Sequence, residues 1–321
     1  MVSPASWFWL GLAGSASGCD CRPEVVHPIP HVRPSPTAPT PTPEDDIEAA
    51  RLALVPLHET KRPPLPDDWL VDHPERGQTY AAYRRSHPVT PDRPGEGPRR
   101  VLYVQSIGQL GRTHASVVVA VTEYLSRFFG LEVRRPPPLP LSLIVAEARR
   151  EHDGRRQLLS AFVLDELLAP RLPDDAAAYI ALTVEDLWPG RGWNFVFGEA
   201  SLEGRVGVWS MHRYGDPLAG RESRKRILRR TLRVAAHETA HMFSLRHCTA
   251  YECVMNGANS LDESDRGPLW LCPECLAKVL WATGQDPSSR FERLAAFAEA
   301  HGLTREAAFF QRSAAAVRAG P

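Results

Sequence analysis

The sequence predicts an α/β protein: a mixed, twisted β-sheet layer leads into one long metal-binding helix, and a helical C-terminal part follows. Three observations predict it. Short apolar runs alternate with helical periodicity between residues 101 and 211. A stripe at helical spacing, Leu228, Leu232, Ala235, Thr239 and Met242, passes through His237-Glu238-Thr239-Ala240-His241. Four cysteines come next, Cys248, Cys253, Cys272 and Cys275, and Ala-rich helical segments close the chain.

In chain order, a strand is expected over 101–105, a helix over 115–129, and strands over 131–135 and 141–146. A helix over 157–168, a buried strand over 179–184 and a hairpin-like pair over 194–197 and 206–211 complete the sheet layer. Arg221 to Arg233 holds seven basic residues, read as the solvated face of the metal-binding helix. Residues 276–283 continue a helix. Ser289 with Glu292 makes a capping box for another helix that ends near Ala300. Gly302 interrupts, and Thr304 opens a last helix to about Arg318. Phe291, Leu294 and Phe297 are spaced for core packing. His58, His73, His87, His114, His152, His212 and His301 lack ligand spacing and read as structural or solvent-facing.

The chain has 321 residues, 43% of them hydrophobic, and a formal net charge of zero. That suffices for one sizeable domain, placed at 65–321, and the charge balance argues against nucleic acid as a partner. Residues 22–64 read as a Pro-rich linker, largely disordered, because 23–43 holds eight prolines in twenty-one positions. Residues 1–21 read as a lipoprotein-type signal: an apolar run from Trp7 precedes Ala16-Ser17-Gly18-Cys19. Cys19 would carry the lipid anchor in the cell envelope, the one membrane contact expected. No Lys or Arg precedes the run, which favours the alternative, a cytoplasmic enzyme.

The chemistry lies in the H-E-x-x-H stretch. On a helix, His237 and His241 share a face and can point at one metal, with Glu238 in reach of a metal-bound water. His247 can swing back as a third ligand once the chain leaves the helix. Three protein ligands leave one coordination position open, the mark of a catalytic zinc. The cysteines form C-x4-C-x18-C-x2-C across 248–275, the pattern of a closed structural zinc site; two disulfides are the competing reading. Two zinc ions are therefore expected. There is no G-x-S-x-G elbow, and Gly108-Gln-Leu-Gly111 lacks the spacing and lysine of a phosphate loop.

H-E-x-x-H, His247, Cys248, Cys253 with Met255 two residues on, and Cys272-Pro-Glu-Cys275 together resemble the archaemetzincins, metzincin-clan zinc peptidases of family M54. Further segments look alike: Asp68-Trp69-Leu70, His73-Pro74-Glu75, 103–108, 193–201, 213–215, and 256–259 through 265–266. The resemblance implies a metzincin-like zincin fold and a zinc metallopeptidase with peptide or protein substrates. It implies His237, His241 and His247 as catalytic-zinc ligands, Glu238 as general base and Met255 as the structural Met-turn. It also implies that an edge strand, at 206–211 or 194–197, aligns the substrate. The alternative function is a zinc-stabilised binding or scaffold protein with a vestigial site. Ser244 stands where the family has Gly, so strain or a different turn is expected there.

Overall fold

The computed structural model describes residues 42–201 and 203–321. The segment 1–21 with Cys19, and most of the Pro-rich stretch, lie outside the described residues. α1 (Pro43–Leu54) comes first. Thr42 caps it: its hydroxyl accepts the Asp45 N–H, and the Asp45 carboxylate accepts the Thr42 N–H at 2.8 Å. Ile47, Ala50 and Leu54 bury an i, i+3, i+7 stripe against the C-terminal helices. The linker expected over 22–64 is thus corrected in its last part. Pro43 occupies a first-turn position, where no N–H is needed, so it starts a helix rather than preventing one.

Two short helices follow, α2 (Trp69–Asp72) and α3 (Tyr80–Arg85). Then β1 (Val101–Ile107), α4 (Arg112–Phe129) and β2 (Glu132–Arg134) make a β-α-β unit. Gly130 ends α4 in the left-handed region, φ 67°. A hairpin of β3 (Arg149–His152) and β4 (Arg155–Leu159) leads into α5 (Ser160–Phe162), which widens to a π-type turn over Val163–Leu168. β5 (Ala176–Thr183), β6 (Asp186–Trp188), β7 (Gly198–Ser201) and β8 (Val206–Ser210) precede the long α6 (Arg221–Met242). α7 (Leu261–Arg266), α8 (Pro273–Thr283), α9 (Pro287–Ala300) and α10 (Thr304–Ala319) complete the chain.

The main sheet runs β2-β1-β5-β8-β7, parallel except for the antiparallel edge strand β7. β1 and β5 are near-continuous apolar runs because both faces are covered, as a parallel sheet requires. Leu102, Val104, Ile180 and Leu182 face α4 and α6, whereas Tyr103, Ile107, Tyr179 and Ala181 face the Val163–Leu168 turn. A second sheet, β3-β4-β6, sits beside it. The mixed α/β class is as expected.

Several local expectations need correction. Residues 141–146 form short 3-10 turns rather than a strand, since Pro140 supplies no N–H and only Ile144 is buried there. The helix expected over 157–168 starts later, because 155–159 is the second strand of a hairpin. Its Asp153-Gly154 turn has φ of 49° and 69°, the conformation that sequence pair favours. Residues 194–197 are not the strand that pairs with β8; the pairing partner is 198–201. Consequently neither edge-strand candidate is an edge of the sheet, whose edges are β2 and, next to β8, β7. α9 is capped by Asp286, whose carboxylate accepts the Ser289 N–H at 2.7 Å, not by Ser289. The basic run is only partly a solvated face. Arg229 pairs with Glu306 at 3.1 Å, Arg230 with Asp265 at 2.5 Å, and Arg233 is buried.

Candidate active site

α6 carries His237, Glu238 and His241 in its last turns. The chain leaves the helix through Ser244, at φ 64°. A side chain in that region costs on the order of 1–2 kcal/mol. Here the Ser244 hydroxyl accepts the Val89 N–H at 2.9 Å, an anchor that glycine lacks. The turn brings His247 back, and the three imidazole centroids lie 4.5, 4.9 and 5.3 Å apart.

Each Nδ1 meets a protein acceptor. His237 faces the Val254 carbonyl at 2.8 Å, His241 the Leu245 carbonyl at 2.6 Å, and His247 the Glu75 carboxylate at 2.9 Å. These acceptors select the Nδ1–H tautomer and leave each Nε2 with a bare lone pair. The Nε2 atoms of His237 and His241 are only 2.9 Å apart. Two lone pairs at that distance repel unless a cation is shared between them. A proton does not supply it near neutrality: burial, then the neighbouring imidazoles, hold His237 well below its usual range and His241 at about 4. The donor set fits a zinc with an open fourth position. Glu238 borders the same space, and burial pushes its carboxyl up to about 7.

The histidines lie in a cleft of about 720 Å³. Trp69 and His73, with ring centroids 4.1 Å apart, contribute to one part of its lining. Residues 192–198 contribute another part. Arg150 donates to the Trp193 and Asn194 carbonyls at 3.0 and 2.9 Å. Arg213, bidentate to buried Asp186 at 2.9 and 2.7 Å, covers the Phe195 ring at 3.6 Å. The indole of Trp193 is left 64% exposed.

Cys248, Cys253, Cys272 and Cys275 form the second cluster, all buried and unbridged. The Cys248 and Cys272 sulfurs are 3.6 Å apart, far beyond the ~2.05 Å of a disulfide. Backbone N–H groups of Met255 and Cys272 approach the Cys253 sulfur at 3.4 and 3.2 Å, and that of Cys275 approaches Cys272 at 3.5 Å. Such donors suit thiolates, and the tetrad fits a closed metal site.

One loop serves both clusters. It carries Cys248 and Cys253, and its Val254 carbonyl orients His237. Met255 is buried, and its carbonyl accepts the Cys248 N–H at 2.8 Å. Asn256 pins the loop: its amide donates to the Cys248 and Tyr251 carbonyls at 2.7 and 2.9 Å and accepts the Cys253 N–H at 2.9 Å. Sequence reasoning gave no role to Asn256, nor to Glu75 and Trp69. The Trp69 indole donates to Glu75 at 2.6 Å and meets His247 edge-on at 5.1 Å. Burial alone would raise the Glu75 carboxyl, but the bonds from His247 and Trp69 outweigh it and bring it down.

Residues 174–280 match the family model described as Peptidase family M54. Archaemetzincin-2 of Pongo abelii is 32% identical over 260 residues, covering 71% of this chain and 71% of its own. The archaemetzincin of Thermococcus kodakarensis is 33% identical over 185 residues, 56% of this chain and 96% of its own. The crystal structure of archaemetzincin from Methanopyrus kandleri aligns with TM-score 0.46 at 28% identity, covering 59% of this chain and 98% of its own.

Proposed function

The chain belongs to the archaemetzincins, peptidase family M54, and is a zinc metallopeptidase; on that premise we propose that His237, His241 and His247 hold its catalytic zinc and that Glu238 is the general base. We further propose a second zinc held by Cys248, Cys253, Cys272 and Cys275 as a structural element. The observation that carries the reading is the convergence of three bare Nε2 lone pairs, each fixed by an acceptor on the opposite nitrogen.

Zinc held by His237, His241 and His247 would supply Lewis-acid polarisation of the scissile carbonyl and would acidify the attacking water. Glu238 accepts the proton of that water and passes it to the leaving amine. Burial raises its carboxyl in the metal-free site, and a cation beside it would move that value downward, toward the carboxylate form that accepts a proton. Glu75 keeps His247 in the donating tautomer, and the Val254 and Leu245 carbonyls do the same for His237 and His241. The cleft beside edge strand β7 accepts an extended peptide or protein segment.

Glu238→Ala is the test. Hydrolysis of a peptide library is expected to fall by about 10²–10⁴-fold or more, with two zincs still bound. Full turnover in that variant would remove Glu238 from the mechanism.

A further inference from the structure

We infer that Arg233 is a carboxylate-binding subsite of the cleft, taking an acidic group on the substrate close to the scissile bond; this rests on the peptidase reading above. Arg233 lies on α6 one helical turn before His237, about 6 Å along the axis. It is 4% exposed and borders the cleft next to Val234, Asn256 and Ser264. Its Nε donates to the Ser264 hydroxyl at 3.0 Å and its Nη1 to the Pro268 carbonyl at 2.6 Å. Gly267 packs against the guanidinium: a Cβ there would meet both Nη atoms at 2.7 Å.

Among the described residues, no carboxylate pairs with it. The nearby acids have other partners: Asp265 is held by Arg230 at 2.5 Å, Glu252 by Arg62 at 3.0 Å and Asp68 by Arg266, while Glu263 accepts the Trp69 and Asn259 N–H groups at 3.1 and 2.7 Å. A buried guanidinium is costly without a charged partner, and its fork matches a carboxylate. Burial, then the neighbouring Arg229 charge, lowers it only to about 10, so it stays cationic at neutral pH. The closed cysteine site is the competing countercharge, since Cys253 also acts on it. Arg233 also lines a smaller pocket of about 130 Å³ together with Gly267, but its place on the cleft wall favours a ligand from outside. Both an acidic side chain and a C-terminal carboxylate offer that chemistry.

The test uses quenched peptide pairs that differ by Glu against Gln at single positions around the cleaved bond, each made as free acid and as amide. Wild type is expected to prefer one carboxylate by about tenfold or more in kcat/KM, a charge-assisted bond's worth. Arg233→Met should erase the preference and Arg233→Lys should keep part of it, with zinc content unchanged in both. The Glu/Gln pairs identify a side-chain carboxylate, and the acid/amide pairs a terminal one. Absence of any preference in wild type would overturn the subsite even if Arg233→Met does not fold. So would a wild-type preference that survives in Arg233→Met, or loss of cysteine-site zinc there with the preference intact. Equilibrium binding of the same pairs to Glu238→Ala, with and without Arg233→Met, reads the preference by anisotropy without turnover, so failure of the peptidase reading is seen separately.

Discussion

The two ligand clusters meet at one peptide bond, His247–Cys248, yet their surroundings are opposite. The histidines are half-buried on a cleft wall, each with its second nitrogen held by a different acceptor. The cysteines are 6%, 0%, 0% and 1% exposed and face only protein. The difference teaches that an open site need not be a loose one. On the proposed two-zinc reading the closed site would lend it rigidity, because the loop that holds Cys248 and Cys253 also supplies the Val254 carbonyl and the flank of His247. Asn256 fastens that loop from three sides.

The comparison is broken most severely on the closed side. Cys272→Ser removes a fully buried thiol, a proposed zinc ligand, that also caps α8. Structural zinc carries enough binding energy to rival a domain's whole stability, so a loss above about 5 kcal/mol is expected. Thermal melts should show no cooperative transition; a normal melt with one zinc gone would make the tetrad dispensable.

Glu75→Ala acts on the open side alone. Removing the acceptor behind a histidine ligand typically weakens metal binding about 10–100-fold. Chelator competition should show that loss at one zinc while the other holds its affinity; wild-type affinity at both would leave Glu75 without a role. The metal-free open site has its own pH signature. His237 and His241 are depressed in the fold, so as pH drops below ~6.5 the unfolded chain takes up protons the folded one refuses. Stability of the zinc-depleted protein should therefore fall from pH 6.5 toward about 4, where His241 titrates. Denaturant midpoints measured across that range check the sign.

Ser244→Gly is the smallest change. It relieves roughly 1 kcal/mol of left-handed strain but removes the bond to Val89, worth about 1 kcal/mol. The melting temperature should move by only a few degrees. A large drop would show that the Val89 anchor, rather than the turn, sets the position of His247.

What was legible in the sequence was local. His237 and His241 are four apart on one helix, and the cysteine spacing is short, so periodicity and pattern suffice. The acceptors were not legible. Glu75 reaches His247 across 172 residues, and a backbone carbonyl such as that of Val254 leaves no trace in residue type. α1 was hidden by proline composition, although Ile47, Ala50 and Leu54 already carried its stripe. Asp153-Gly154 signalled the hairpin, but the apolar run after it suggested a helix reaching back over β4. Arg233 looked like one more surface charge because nothing in its neighbours' identities says which arginines find acids.

Stepwise zinc removal tests the central claim most directly. Wild-type protein is titrated with a chelator while bound zinc, peptide hydrolysis and far-UV circular dichroism are followed together. One zinc should leave first and take all activity with it, the fold remaining intact. The second should leave only as the chain unfolds. Activity that persists after the first zinc is lost, or two zincs that depart together with unfolding, would contradict an open catalytic site framed by a closed structural one.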